Sequence, residues 1–218
     1  MTLRIAAAAL VAASSNLAHA QTAVRYDFAM TVTQNIITGS SHVGSLNGLP
    51  VGTQASLSIT ANNVVVDSEP ASTNYQVADA SFEMGSFVAG GSWGSYPTTS
   101  IVGSLGIGDE ARLSPTRTAD LFVAFVFLDN PEIVSLATIA LADADEVNGE
   151  RLLFNSTALP LAIDLGLVDD AVADFQIASV QNDPRINFQV EDVAVTVIPT
   201  PSGSLVFGAG LLLARRRR

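Results

Sequence analysis

The 218-residue chain has no cysteine and no lysine, only two histidines and a single tryptophan. Without cysteine there can be no disulfide, no thiol catalysis, no thiolate-bound zinc and no iron–sulfur cluster. Stability must then come from apolar burial, for which a body of about 180 residues is large enough. Positive charge is nearly as scarce. Arg4 and the last four arginines lie in the terminal segments, leaving Arg25, Arg112, Arg117, Arg151 and Arg185 between them. All 21 acids fall between Asp27 and Asp192, so five arginines against 21 acids give this middle region a net charge of −16. Such a surface repels nucleic-acid phosphates and anionic lipid, because binding either requires Lys and Arg to neutralise charge. A nucleic-acid role is excluded. A solvated carboxylate surface on a secreted body fits the composition.

The two ends read as address labels. Residues 1–20 open with Arg4, continue through the short apolar run 5–13, and close on Ala18-His19-Ala20. This is the n-region, h-region and small-residue cleavage pattern of a signal peptide, with Ala18 and Ala20 in the positions the peptidase pocket requires. Cleavage leaves Gln21 as the first residue, and signal peptidase is the partner implied. At the other end, Pro199-Thr200-Pro201 stops the last strand, since proline donates nothing to a ladder. Residues 202–214 (SGSLVFGAGLLLA) are uncharged and largely apolar, and Arg215, Arg216, Arg217 and Arg218 end the chain. As a helix that stretch reaches only about 20 Å against a hydrocarbon core of about 30 Å. It is expected to form a short C-terminal transmembrane helix, a temporary stop more than a lasting anchor. Four terminal arginines resist translocation and hold that end in the cytoplasm.

Pro199, Thr200, Pro201, the apolar stretch and the terminal arginine cluster together resemble the PEP-CTERM family of sorting signals, in a variant with Thr200 where the name-giving motif has Glu. The resemblance implies recognition and cutting of the tail by an exosortase, a membrane-embedded cysteine protease. It also implies an exported protein of bacteria that make extracellular polysaccharide, residing at the cell surface or outside the cell after transient C-terminal membrane anchoring. The expected organisation is signal peptide 1–20, acidic domain 21–198 and sorting tail 199–218.

Within the body, periodicity two dominates. Val24, Tyr26, Phe28, Met30 and Val32 alternate with polar or small residues, as do Leu57 with Ile59 and Phe82 with Met84. Val64-Val65-Val66 reads as a buried run, and residues 121–128 (LFVAFVFL) as a central strand. Asn148-Gly149 predicts a type I′ hairpin between 139–147 and 151–154. Asn182-Asp183-Pro184 predicts a second turn, before the last strand. In that strand Ile186, Phe188 and Val190 share one parity, and Val193, Val195 and Val197 the other, so the switch at Glu191-Asp192 predicts a β-bulge. Leu161, Leu165 and Val168 fall at helical spacing, which suggests a short helix within 160–173. Strands at intervals of about ten residues point to an antiparallel, jelly-roll-like β-sandwich. The body also resembles β-sandwich domains found ahead of such tails, on Val51-Gly52-Thr53, the strand around Tyr75 and the closing strand 188–192.

Chemistry-bearing residues are few. His42 with Ser40 or Ser41 lacks a G-x-S-x-G elbow to supply a nucleophile, and no catalytic residue is assigned. Asp143, Asp145, Glu146, Asn148 and Glu150 cluster, but Val147 occupies a ligand position and Gly149 falls one residue late for an EF-hand. The cluster reads better as a solvated hairpin edge than as a calcium clip, and neither metal nor cofactor is expected. Trp93 and Tyr96, on a glycine-rich loop, form a candidate sugar-stacking platform. The leading reading is a non-catalytic surface or matrix protein. The competing one is a carbohydrate-binding module, with extracellular polysaccharide as partner.

Overall fold

The structure, a computed structural model, describes residues 23–37, 46, 48–92, 103–114, 117–130, 133–144, 153–177 and 184–199. Its strands are β1 (Ala23–Asn35), β2 (Gln54–Glu69), β3 (Ser72–Met84), β4 (Phe87–Ser92), β5 (Gly103–Ser114), β6 (Arg117–Asn130), β7 (Ile133–Asp143), β8 (Asp170–Ile177) and β9 (Arg185–Ile198). Every pairing is antiparallel, and strands consecutive in sequence pair with one another except β4 and β5. β4 and β5 share one position. β3 pairs with β4 through Asp79 to Met84 and with β5 through Ser72 to Gln76, and both β4 and β5 also reach β6. β1 and β9 then close the ring over twelve register pairs, from Ala23↔Ile198 to Asn35↔Ile186. The result is an eight-position up-and-down β-barrel.

This corrects the expected jelly-roll-like sandwich. Alternation of apolar and polar residues is the same in both architectures, because each has one wet and one dry face per strand. The β1–β9 closure distinguishes them, and no local pattern encodes it. A second correction concerns helices. Among the described residues no helix is long and apolar enough to cross a membrane, so the expected transmembrane helix forms no part of the described fold. The residues assigned to it, 202–214, lie outside the described residues. In place of a helix within 160–173 there is one 3₁₀ turn, Leu165–Leu167, after which β8 begins. Asp164 caps that turn by accepting the Gly166 N–H at 2.9 Å.

Alternation sets the inside of the barrel. Val24, Tyr26, Phe28, Met30 and Val32 are all buried, as are Leu57, Ile59, Phe82 and Met84. On β6, Phe122, Ala124, Val126 and Leu128 point inward, leaving Phe125 and Phe127 exposed on the outer wall. An eight-stranded barrel is just wide enough to be filled by side chains or to hold one small ligand. Here aromatic rings occupy it. Phe122 packs edge-on to Tyr26 and Phe28, with ring centres 5.1 and 5.6 Å away, while Phe82 stacks on Phe175 at 5.0 Å.

Two glycines are dictated by geometry. Gly85, at φ 60°, opens the two-residue turn between the register partners Met84 and Phe87, the place where a II′ turn requires glycine. A Cβ at Gly103 would meet the Phe125 carbonyl oxygen at 2.1 Å, so only glycine lets β5 approach β6 there. The register of β9 skips between Ala29↔Asp192 and Met30↔Val190, which leaves Glu191 as the bulged residue. Ile186 and Phe188 above the bulge are buried, and Val193 and Val195 below it pack on the same core. Val65 and Val66 instead stand exposed on the β2–β3 hairpin, which runs past the first residue of β1, so the run expected to be buried lies outside the barrel. The predicted 139–147/151–154 hairpin is also overturned, because β6 and β8 already flank β7 on both sides.

Candidate functional site

Of the buried polar residues described, Thr73, Asp120 and Asp143 gather at the end where β1 starts and β9 stops, and Ser135 lies at the other end. Residues 153–169 cross that mouth from β7 to β8 with little regular structure, and are called the strap below. Such a segment must satisfy its backbone through side chains of the wall, since it has no ladder of its own. Asp120 lies in the first rungs of the β6 ladder, three residues after Arg117, and Asp143 ends β7. The two are register partners, and both are buried, at 0% and 5% exposure. Asp120 accepts the Phe154 N–H at 2.8 Å, and Asp143 accepts the Leu153 N–H at 3.2 Å. A bulge in β5 after Gly108 puts Glu110 at φ 53° and aims its N–H at Asp120, 3.1 Å away.

Two phenols hold the middle of the strap. Tyr75 donates to the Thr157 carbonyl at 2.8 Å, and Tyr26 to the Pro160 carbonyl at 3.0 Å. Burial pushes both hydroxyls above their ordinary value, with the neighbouring Tyr75 adding to the effect on Tyr26, so both remain protonated donors. The Thr73 hydroxyl donates to that of Thr157 at 3.0 Å, and the Asp169 N–H to the Ala142 carbonyl at 2.9 Å. Leu159, Leu165, Leu167 and Val168 lie against the core beneath. Asp109, beside this cluster, has its carboxyl raised above its ordinary value by burial, then by the charges of Asp120 and Glu110. Within the strap, residues 153–156 and 158–162 line a pocket of about 420 Å³.

Chemically, this arrangement uses carboxylates and phenols as anchors: each acceptor or donor points at the backbone or a hydroxyl of the strap. Among the described residues, no group of three or more His, Asp or Glu could hold a metal ion. Asp143 was expected on a solvated hairpin edge; it is buried and bonded to the strap. Asp145, Glu146, Asn148 and Glu150 lie outside the described residues, as do His42, Ser40, Ser41, Trp93, Tyr96, Ala18 and Ala20. Of the tail, Pro199 is described, exposed directly after β9; Thr200, Pro201 and Arg215, Arg216, Arg217 and Arg218 are not among the described residues.

Asp120 was missed by sequence reasoning, although a signal was present. It shares parity with Phe122, Ala124, Val126 and Leu128, the inward set of β6, and an acid in phase with core residues announces a buried polar anchor. In the sequence Tyr26 stands out only as one of the alternating residues of β1 and Tyr75 only as part of a strand; nothing in their spacing reveals that their hydroxyls reach across the mouth. No protein-family model matches the chain, and no match was found among curated proteins or among solved structures.

Proposed function

We propose that the chain is an exported, non-catalytic protein of the cell surface or extracellular matrix, sorted and processed through the signal that begins at Pro199. The observation that carries this reading is where the barrel stops. Its strands run from Ala23 to Ile198, and those two residues are register partners. Both segments read as address labels lie outside that closed unit, so cutting at either end removes none of the described strands. Signal peptidase acting after Ala20 leaves Gln21 and Thr22 ahead of β1, and Pro199 follows β9 without a spacer. Both ends of the barrel also leave from the strap side of the molecule.

The interior fits the same reading. Rings and aliphatic side chains fill the barrel, and its buried carboxylates are occupied in holding the strap. An acidic body with a net charge of −16 between the two terminal segments stays soluble and keeps away from anionic headgroups while the tail is handled at the membrane. The partners in this proposal are signal peptidase and an exosortase-type membrane protease, with extracellular polysaccharide as the surroundings of the mature domain. The test is deletion of residues 199–218 in the native host. The shortened protein should fold but change its location; unaltered location, together with an unprocessed C-terminus in the parent, would overturn the proposal.

A further inference from the structure

β9 outruns the strand beside it. The β8–β9 pairing spans only Ala173↔Phe188 to Gln176↔Arg185, and continued in register it puts Asp170, the first residue of β8, level with Glu191. Residues 192–198 therefore extend past the end of β8, and among the described residues they pair with a strand on the β1 side alone. The run 193–198 reads Val-Ala-Val-Thr-Val-Ile, β-branched at five of six positions, with neither charge nor proline. Ala194, Thr196 and Val197 are exposed. Natural edge strands are usually blunted by charge, proline or a covering element, because a bare edge is a template for another strand. The only charges here, Glu191 and Asp192, sit at the bulge, at one end of the run, where the Asp192 carboxylate accepts the Val193 N–H at 2.9 Å and caps the first residue of the run alone.

We infer that this edge is the pairing site for a second copy of the chain, the two β9 strands running antiparallel about a two-fold axis. An axis normal to the joint sheet matches residues of like parity, since side chains directly opposite one another point to the same face. Centred on Val195, the pairing sets Val195 against the second copy's Val195, Val193 against its Val197, and Ala194 against its Thr196. Val197, 44% exposed in the single chain, is thereby covered by a valine. The axis also explains why a copy fits better than an unrelated acidic strand. Asp192 lies three residues from the centre, so the two Asp192 carboxylates stand about 20 Å apart along the strands. That is more than twice the screening length of roughly 8 Å at physiological salt. Small side chains at 194 and 196 leave the outer face of the edge open to an approaching backbone. The contact is short compared with a standard interface of about 1,600 Å², which makes the association weak and dependent on concentration. It goes beyond the sorting proposal and does not depend on it.

The test is sedimentation of the full chain from about 1 to about 200 µM, a range chosen for weak interfaces. A reversible monomer–dimer equilibrium is expected. The double variants A194E/T196E and A194K/T196K place like charges opposite one another at both crossings, and each should weaken dimerisation by about tenfold or more. An equimolar mixture of the two should restore it as a heterodimer, because Glu then faces Lys. Amide exchange at 193–198 that slows as wild-type concentration rises gives the same answer without any substitution. A chain monomeric throughout the range, or a dimer indifferent to these charges, overturns the inference. So does dimerisation that appears only once the residues beyond Pro199 are removed, since the chain's own tail would then be the occupant.

Discussion

Replacing Asp120 with asparagine changes one carboxylate oxygen into an amide and leaves the size of the side chain unaltered. The carboxylate accepts two backbone N–H groups, from Phe154 at 2.8 Å and Glu110 at 3.1 Å. An asparagine has one acceptor oxygen to offer, so one of these donors meets an NH₂ group instead. A buried donor without an acceptor costs about 1–3 kcal/mol. One effect runs the other way: the charge of Asp120 helps to raise the Asp109 carboxyl, and neutralising it relieves that repulsion. Asp109 is partly exposed, and interactions between charges near solvent are worth about 0–1 kcal/mol, so the lost acceptor wins. The expected net loss is about 1–2 kcal/mol. With a urea slope of roughly 2 kcal/mol/M, the unfolding midpoint followed by circular dichroism should fall by about 0.5–1 M. Hydrogen exchange should show the Phe154 amide losing protection while the Leu153 amide, held by Asp143, keeps most of its own. An unchanged or raised midpoint would refute the view that this carboxylate anchors the strap.

Other substitutions test other parts of the account. Phe122→Ala empties the site between Tyr26 and Phe28 and should cost about 3–5 kcal/mol in the same urea titration. Gly103→Ala sets a methyl group against the Phe125 carbonyl, forcing β5 away from β6; a loss of about 1–3 kcal/mol is expected, with faster exchange along that pair. Asp109→Asn should stabilise the protein at neutral pH. The folded carboxyl holds its proton more tightly than the ordinary value of 3.8, so its ionisation opposes folding above the raised pKa. The advantage of the variant should shrink as pH falls through that raised value and vanish below 3.8, as read from unfolding midpoints across pH. Tyr75→Phe removes the donor to the Thr157 carbonyl and should cost about 0.5–1.5 kcal/mol, with faster exchange in the strap.

Most strands were legible because burial on one face imposes period two. The inward sets of β1 and β6 stand where alternation puts them, and the parity switch in β9 coincides with its bulged Glu191. The closing of the ring was not legible, since the Ala23-to-Ile198 pairing joins residues at opposite ends of the body and leaves no local trace. Residues 121–128 look uniformly apolar because outward positions such as Phe125 and Phe127 are apolar too, which hides which half faces the core. The helical spacing of Leu161, Leu165 and Val168 misled for a physical reason. The strap crosses the mouth as an irregular segment, bonded to wall side chains, so the spacing of its apolar residues follows the core beneath and not a helix axis. Leu161 ends 66% exposed while Leu165 and Val168 face the core. Of the strap's anchors, only Asp143 had been singled out, and for a different role.

The most direct measurement is intact-mass spectrometry of the natural protein, with both termini read from the same molecule. The account predicts a chain that begins at Gln21 and has lost the Arg215, Arg216, Arg217 and Arg218 cluster, recovered from the envelope or the medium. A cytoplasmic product that still starts at Met1 and ends at Arg218 would contradict it.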